Sequence, residues 1–83
     1  MTTFIDFINL TFSIRDKDLL ADFLYGVTTV KERRELMRRI DIIEQLLADI
    51  PQHKIASDLN VGVATVTRGS KELSEGRFKV LRK

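Results

Sequence analysis

Residues 52–73 constrain the fold more than any other part of this 83-residue sequence. They read QHKIASDLNVGVATVTRGSKEL, and their apolar residues have the spacing of two short helices joined by a tight turn. The small side chain of Ala56 allows the second helix to cross the first closely, and Asn60 accepts the left-handed backbone that such a turn needs. Val66 is expected to fill the angle between the helices. The segment therefore predicts a helix-turn-helix, with apolar positions at Ile55, Ala56, Leu59, Val61 and Val66.

Two apolar helices are predicted at the start of the chain. Residues 4–12 are apolar over a wider face than a one-sided surface helix requires, so they need burial against more than their own small domain. Residues 13–25 carry apolar side chains at helical spacing, with Asp16 and Asp18 early, where the helix dipole favours negative charge. Gly26 is expected to end this helix.

A long helix is predicted before the helix-turn-helix. Thr29 and Glu32 have the spacing of a capping box, and apolar residues then recur at helical intervals for about 20 residues. The helix is expected to end near Pro51, because the residue before a proline is pushed out of the helical region. A short amphipathic helix is predicted over residues 75–83. Although residues 61–67 are rich in strand-favouring side chains, the chain predicts an all-α fold of five to six helices.

The composition excludes several classes of function. The sequence has no cysteine, hence no disulfide or thiolate metal site, and no apolar run approaches the roughly 18 residues of a membrane span. His53 is the only histidine and has no acidic residue at ligand spacing, so no metal site is expected. Asp16 and Asp18 have no nucleophile beside them, and neither catalytic residues nor enzyme activity are predicted. We expect one cytoplasmic domain over residues 1–83 with no membrane partner.

Basic side chains concentrate in the C-terminal part of the chain. Residues 1–30 hold two basic and four acidic side chains, whereas residues 31–83 hold twelve basic and eight acidic ones. This asymmetry indicates a polyanion partner, although it also fits a solvated surface or a helical module that binds an acidic protein. Small and β-branched side chains on the second helix of the motif allow close approach to base edges. We therefore predict double-stranded DNA as the partner, contacted by His53, Lys54, Gly62, Val63, Ala64, Thr65, Thr67 and Lys71.

The segment ATVTRGSKEL resembles the TRGS recognition segment of the tryptophan repressor family of helix-turn-helix regulators. The likeness extends upstream through FIDFINL, LLADFLYGVTTVKERREL and RRIDIIEQLL, with one residue lost near residues 49–51. It covers almost the whole chain. The TRGS segment with its helix-turn-helix is distinctive, whereas the N-terminal likeness is mostly an apolar pattern.

The resemblance implies a transcriptional repressor that is an intertwined, all-helical homodimer on a palindromic operator. The N-terminal helices of one subunit would wrap the other, which accounts for the apolar face of residues 4–12. Two recognition helices would lie about 34 Å apart in successive major grooves. The single domain then divides into dimerisation helices at 1–27, a long helix at 28–50, the helix-turn-helix at 52–73 and a short C-terminal helix at 75–83.

The resemblance also implies L-tryptophan as corepressor, with its indole between Arg39 and Arg68. A guanidinium can stack on an aromatic face and also hold a carboxylate. A side chain at Gly69 would fill the gap between these arginines. By themselves, the residues favour surface arginines that pair with Asp41, Glu44 or Glu72. The remaining positions implied at the ligand are Thr29 near its carboxylate, the carbonyls around Gly26 and Thr28 near its amino group, and Glu72.

Glu72 departs from the family's pattern and leaves alternatives open. It stands where the family has a serine close to the ligand amino group. Its carboxylate either binds the ligand ammonium or pairs with Arg39 or Arg68 and closes the pocket. The effector is therefore tryptophan, a different amino acid, or none.

Further departures concern DNA and the C-terminus. His53 and Ala56 stand where the family has basic residues, which shifts phosphate anchoring towards Lys54, Lys71 and the arginines of the long helix. The operator sequence does not carry over. The C-terminal helix is shorter than the family's, which implies a truncated chain or a smaller dimer contact.

Overall fold

The computed structural model describes residues 1–82 as five α-helices and one 3-10 turn, with no strand among them. The predicted all-α fold is confirmed. Within this part of the chain no helix is long and apolar enough to cross a membrane. The chain forms two compact units, Met1–Arg33 and the residues from Arg34 onward. The helices are α1 (Phe4–Ser13), α2 (Lys17–Val27), α3 (Val30–Leu47), α4 (Gln52–Leu59) and α5 (Val63–Ser74), and the 3-10 turn covers Lys79–Leu81.

The first two helices begin at side-chain caps. The Thr3 hydroxyl accepts from the Asp6 N–H over 3.2 Å, and the Asp6 carboxylate accepts from the Thr3 N–H over 3.0 Å. The Thr3 N–H, and after it the Thr3 hydroxyl, lower the pKa of the Asp6 carboxyl below its ordinary value. At α2, the Asp16 carboxylate accepts from the N–H groups of Asp18 and Leu19. Asp16 is thus a helix cap, which agrees with its predicted place at the start of this helix.

α2 lies further along the chain than predicted. It begins at Lys17 and not at residue 13, because the Asp16 side chain takes up N–H groups of the first turn. The prediction that Gly26 ends the helix is wrong. The helix runs through Gly26 to Val27 and ends where Thr28 becomes extended, with φ −122° and ψ 150°. A glycine weakens a helical turn but does not by itself end it.

Neither α1 nor α2 contains a buried residue. Phe7 packs against Phe4 and Phe23, with ring centroids 5.9 Å apart in each pair. Even so, Phe4 is 73 % exposed and Phe12 is 90 % exposed. The unit Met1–Arg33 therefore presents much of its apolar surface to solvent, and this surface also includes Ile5, Ile8, Leu10 and Leu19.

The capping box predicted for α3 is confirmed. The Glu32 carboxylate accepts from the Thr29 N–H over 2.8 Å, and the Thr29 hydroxyl accepts from the Glu32 N–H over 3.1 Å. The Thr29 N–H, and after it the Thr29 hydroxyl, lower the pKa of Glu32. The start of α3 is therefore fixed by residues that are close together in the sequence.

α3 ends earlier than the predicted boundary near Pro51. Its last residue is Leu47, and Asp49 has the left-handed φ of 62°. The Ile50 N–H then donates to the Gln45 carbonyl over 3.1 Å. A left-handed residue followed by such a bond is a common way to end a helix, so Asp49 stops α3 before the proline does.

The predicted helix-turn-helix is confirmed and carries the core of its unit. Ile55 and Val66 are 0 % exposed and pack with Ala56 and with Ile42 of α3. Asn60 has left-handed angles, φ 53° and ψ 51°, as the turn was predicted to need. The partly buried side chains around this core are Leu46, Ile50, Leu59 and Val61.

The α-helix predicted over residues 75–83 is not formed in the described part of the chain, and Lys83 lies outside that part. Gly76 has φ 90° and Phe78 has φ 63°. Left-handed backbone at both positions prevents consecutive α-helical hydrogen bonds. Only the 3-10 turn remains.

We call residues 75–82 the C-terminal turn. The Arg77 N–H donates to the Glu72 carbonyl over 3.0 Å. The Arg82 guanidinium reaches back and donates to the carbonyls of Leu73 and Arg77. These bonds tie the turn to the end of α5.

Candidate functional site

The face of α5 predicted to contact DNA is exposed. Val63 is 54 % exposed, and Ala64, Thr67 and Lys71 are exposed as well. The Thr67 hydroxyl donates to the side-chain oxygen of Gln52 over 2.9 Å. This bond connects the exposed face of α5 to the first residue of α4. Gly62 and Thr65, also predicted at DNA, are exposed at the start of α5.

His53 and Lys54 are exposed on α4. The Lys54 ammonium lies 3.1 Å from the Asp58 carboxylate one turn later. Exposed pairs of this kind contribute only about 0–1 kcal/mol, so the ammonium can readily exchange this partner for another anion. In residues 1–82, no group of three His, Cys, Asp or Glu side chains is arranged to hold a metal ion.

A cleft of about 760 Å³ lies between α3, α5 and the C-terminal turn. It brings together Arg39 from α3 with Arg68, Gly69 and Glu72 from α5, all of which were predicted at the ligand. Ala64 and Thr65, predicted to contact DNA, also line it, so the start of α5 borders both surfaces. The other lining residues are Ile42, Ile43, Arg77 and Phe78.

The charges in the cleft are unequal. Arg39, Arg68 and Arg77 line it, but Glu72 is the only acidic residue among the lining residues. Glu72 pairs with Arg77, whose Nε lies 3.5 Å from Oε2 of the carboxylate. Neither Arg39 nor Arg68 forms a salt bridge with a described residue, so the alternative in which they pair with nearby acids is not observed. Two unpaired guanidinium groups beside apolar side chains suit a ligand that has both a planar apolar ring and a carboxylate.

Gly69 lies where α5 packs closely against α3. A Cβ at this position would lie 3.2 Å from Ile42 Cγ2, 3.2 Å from Ile43 Cδ1 and 3.6 Å from Leu46 Cδ1. The predicted reason for this glycine was space between the two arginines. What the missing side chain permits is instead the close approach of α5 to the buried isoleucines of α3.

Three predicted ligand residues, Gly26, Thr28 and Thr29, belong to the unit Met1–Arg33. The Thr28 carbonyl accepts from Arg33 Nη1 over 2.8 Å, and the Thr29 hydroxyl accepts from the backbone as part of the α3 cap. These groups therefore have hydrogen-bond partners within their own unit. Their place at the ligand stays a prediction.

The sequence pattern did not indicate Arg77 and Phe78 as cleft residues. Their position depends on the left-handed backbone of Phe78, a conformation that non-glycine residues rarely adopt. The sequence offers one indication of their position. Glu72 lies five residues before Arg77 and has the opposite charge, and Gly76 between them permits a sharp turn. Ile42 and Ile43 were recognised only as part of the apolar face of α3.

Residues 3–80 match the sequence profile of the family described as Trp repressor protein. The chain belongs to this family. The family resemblance predicted from the TRGS segment is thus confirmed, and it extends over both units of this Trp repressor family chain.

Several curated relatives share the description Trp operon repressor homolog. The one from Aliivibrio salmonicida (strain LFI1238) is 52 % identical over 46 residues, which are 54 % of this chain and 43 % of the relative. The one from Vibrio vulnificus (strain YJ016) is 36 % identical over 70 residues, 83 % of this chain and 66 % of the relative. The one from Vibrio cholerae serotype O1 (strain ATCC 39315 / El Tor Inaba N16961) is 46 % identical over 46 residues, which are 54 % of this chain and 45 % of the relative. The chain thus spans less than two thirds of the length of these Trp repressor family relatives.

Proposed function

We propose that this Trp repressor family chain is a sequence-specific DNA-binding transcriptional repressor, with L-tryptophan or a related amino acid as its corepressor. The observation that carries the proposal is that α5 has two accessible surfaces, one facing solvent and one facing the cleft. One side of the helix exposes Val63, Thr67 and Lys71, while Arg68 and Glu72 line the cleft. A ligand in the cleft would therefore contact the same helix that contacts DNA.

The distribution of charge supports DNA as the partner. Lys31, Arg34 and Arg38 are exposed on α3, and Lys71 is exposed on α5. Such side chains neutralise phosphates and supply sequence-independent affinity. The small side chains at the start of α5 leave room for close approach to base edges in the major groove.

The cleft supports an aromatic amino acid as the ligand. Its ring would stack on the guanidinium groups of Arg39 and Arg68, against the apolar side chains of Ile42 and Ile43. Its carboxylate would bind one of the two arginines. The ligand acts as a corepressor if the arrangement of α5 that fits the major groove also binds it more tightly.

A second copy of the chain is the proposed partner of α1 and α2. Exposed apolar surface on this scale, which includes Phe4 and Phe12, is typical of an association surface. An intertwined homodimer buries it in both chains at once and provides two copies of α5. Its two-fold symmetry matches a palindromic operator with half-sites about one DNA turn apart.

Operator affinity with and without the amino acid tests the proposal. Palindromic sites would be selected from random DNA in the presence of millimolar L-tryptophan and titrated by fluorescence anisotropy at several salt concentrations. We expect operator binding to be about tenfold tighter with tryptophan, within the usual range of allosteric coupling. We also expect the affinity to fall steeply as salt rises, because phosphate contacts release counterions.

Other outcomes identify the alternatives. Selection of no DNA site by the folded protein, with tryptophan or with any other standard amino acid present, would contradict the proposal and favour a helical module that binds an acidic protein. Operator binding that responds to another amino acid would identify a different effector. Operator binding that none of the standard amino acids changes would leave a DNA-binding family member without an amino-acid corepressor.

A further inference from the structure

We infer that Arg77 is a specificity-determining residue, because its guanidinium competes with the ammonium group of the ligand for Glu72. This inference rests on the proposed binding of an amino acid in the cleft. Among the residues that line the cleft, Glu72 is the only acid, whereas Arg39, Arg68 and Arg77 are all cationic. An ammonium group in the cleft therefore has one side chain with which it can form an ion pair.

The Glu72 carboxylate is already engaged by Arg77. The pair is separated by 3.5 Å, and the side chains of Arg77 and Glu72 are 67 % and 37 % exposed. Exposed ion pairs at this distance are weak, because water and salt screen them. A ligand ammonium can therefore replace the guanidinium at small cost.

This exchange requires movement of the Arg77 side chain alone. Its N–H donates to the Glu72 carbonyl over 3.0 Å, and its carbonyl accepts from Arg82 Nε and Nη2 over 3.3 and 3.2 Å. The backbone of the C-terminal turn is thus held independently of the ion pair. The guanidinium can turn into solvent while the wall of the cleft stays in place.

The competition affects two classes of ligand in opposite directions. Arg77 partly neutralises the carboxylate that the ammonium of an amino acid would bind, so it weakens that ion pair. A carboxylic acid without an amino group forms no ion pair with Glu72. Its binding is favoured when Arg77 neutralises the Glu72 carboxylate, which would otherwise repel it. Arg77 therefore reduces the preference of the cleft for amino acids, and Glu72 creates that preference.

Calorimetry with L-tryptophan and with indole-3-propionate, which is tryptophan without its amino group, measures this preference as a ratio of affinities. Arg77→Gln should raise the ratio about twofold to fivefold, as expected when an exposed ion pair no longer competes. Glu72→Gln should lower it about tenfold, the effect of losing a charged hydrogen-bond partner. In the double variant the ratio should equal that of Glu72→Gln alone, because Arg77 acts through Glu72.

Matched controls separate this competition from a general effect of charge. Lys79→Gln and Glu75→Gln remove the same charges from exposed positions of the C-terminal turn that are not among the cleft residues. Both should leave the ratio unchanged. Arg77→Lys keeps the positive charge and should retain most of the wild-type preference.

The outcomes distinguish the inference from the proposed function. If Arg77→Gln leaves the ratio unchanged, or if its gain persists in the double variant, the inference is wrong and the proposed function stands. If the folded wild-type protein binds neither compound, an indole-bearing corepressor is wrong and the inference falls with it. Far-ultraviolet circular dichroism of each variant checks that the helices are intact.

Discussion

Gly69 faces Ile43 so closely that a Cβ on the glycine would lie 3.2 Å from the Cδ1 atom of the isoleucine. Ile43 is 1 % exposed and Ile42, which would also be met at 3.2 Å, is 2 % exposed. A Cβ at position 69 would therefore require these buried side chains to shift by a few tenths of an ångström. This contact fixes how closely α5, which carries Arg68 and Glu72, approaches α3, which carries Arg39.

We expect Gly69→Ala to destabilise the protein by about 1 kcal/mol. Overpacking a core costs roughly 1–3 kcal/mol, and the better helix propensity of alanine returns about 1 kcal/mol. Urea unfolding at fixed protein concentration measures the change. Gly26→Ala in the last turn of α2 is the control, because a Cβ there meets nothing within 4 Å. A Gly69→Ala variant more stable than the wild type would contradict this account.

Arg68→Ala should chiefly remove the response to the ligand. The proposed stacking and carboxylate contacts together make a loss of tenfold or more in tryptophan affinity a reasonable expectation, with operator binding no longer enhanced by tryptophan. Calorimetry and anisotropy measure the two quantities. Full ligand response in Arg68→Ala would show that the proposed ligand site is wrong.

Lys71→Ala should weaken operator binding whether or not tryptophan is present. If its ammonium contacts one phosphate, the slope of log affinity against log salt should fall by about one. Lys79→Ala removes the same charge from the C-terminal turn and should leave that slope unchanged. Equal effects of the two variants would indicate overall charge and not a contact made by α5.

Acid should weaken the cap at the start of α3, because it protonates the Glu32 carboxylate. The Thr29 N–H lowers the pKa of this carboxyl from its ordinary value of 4.5. The capping interaction is therefore fully present above pH 4.5 and is lost as the pH falls through the lower folded-state pKa. Amide exchange in the first turn of α3, measured by NMR, should show this loss. After correction for the intrinsic pH dependence of exchange, Glu32→Gln should abolish this pH-dependent loss of protection, and Glu35→Gln on the same helix should not.

Phe12→Ser should weaken the proposed homodimer and shift the protein towards the monomer. Phe12 is 90 % exposed in the single chain, so its replacement removes no contact that buries it there. Burial of such a side chain against a second copy contributes about 1.5–3 kcal/mol, which corresponds to a dimer at least tenfold weaker. Sedimentation over a dilution series measures the association constant, with Asn9→Ala on the same helix as control. An unchanged association constant would place Phe12 outside the dimer contact.

The parts of the fold that were predictable depend on residues close together in the sequence. The capping box of Thr29 and Glu32, the left-handed Asn60 and the buried Val66 each follow from a local pattern, and each is found. The C-terminal turn was predicted as a helix because its amphipathic pattern is helical. Its actual conformation depends on Arg82, which reaches back to the Leu73 carbonyl.

The cleft was predictable only in part for the same reason. Arg39 and Arg68 came from the family resemblance, since nothing in their spacing distinguishes them from surface arginines. Arg77 enters the cleft only because the C-terminal turn bends back. Gly69 was predicted as a position where a side chain would fill the gap between the arginines, but a Cβ there would meet the apolar core, which a one-dimensional pattern does not reveal.

In the proposed DNA complex, the bond between Thr67 and Gln52 would affect the bases that α5 contacts. A hydroxyl carries one proton, and Thr67 donates that proton to Gln52, so its oxygen is left as an acceptor towards the outside. At the floor of the major groove, an acceptor complements the exocyclic amines of adenine and cytosine, whereas N7 and O6 of guanine require a donor. In the proposed complex, the Thr67 oxygen would therefore meet a base as an acceptor as long as its hydroxyl keeps the bond to Gln52.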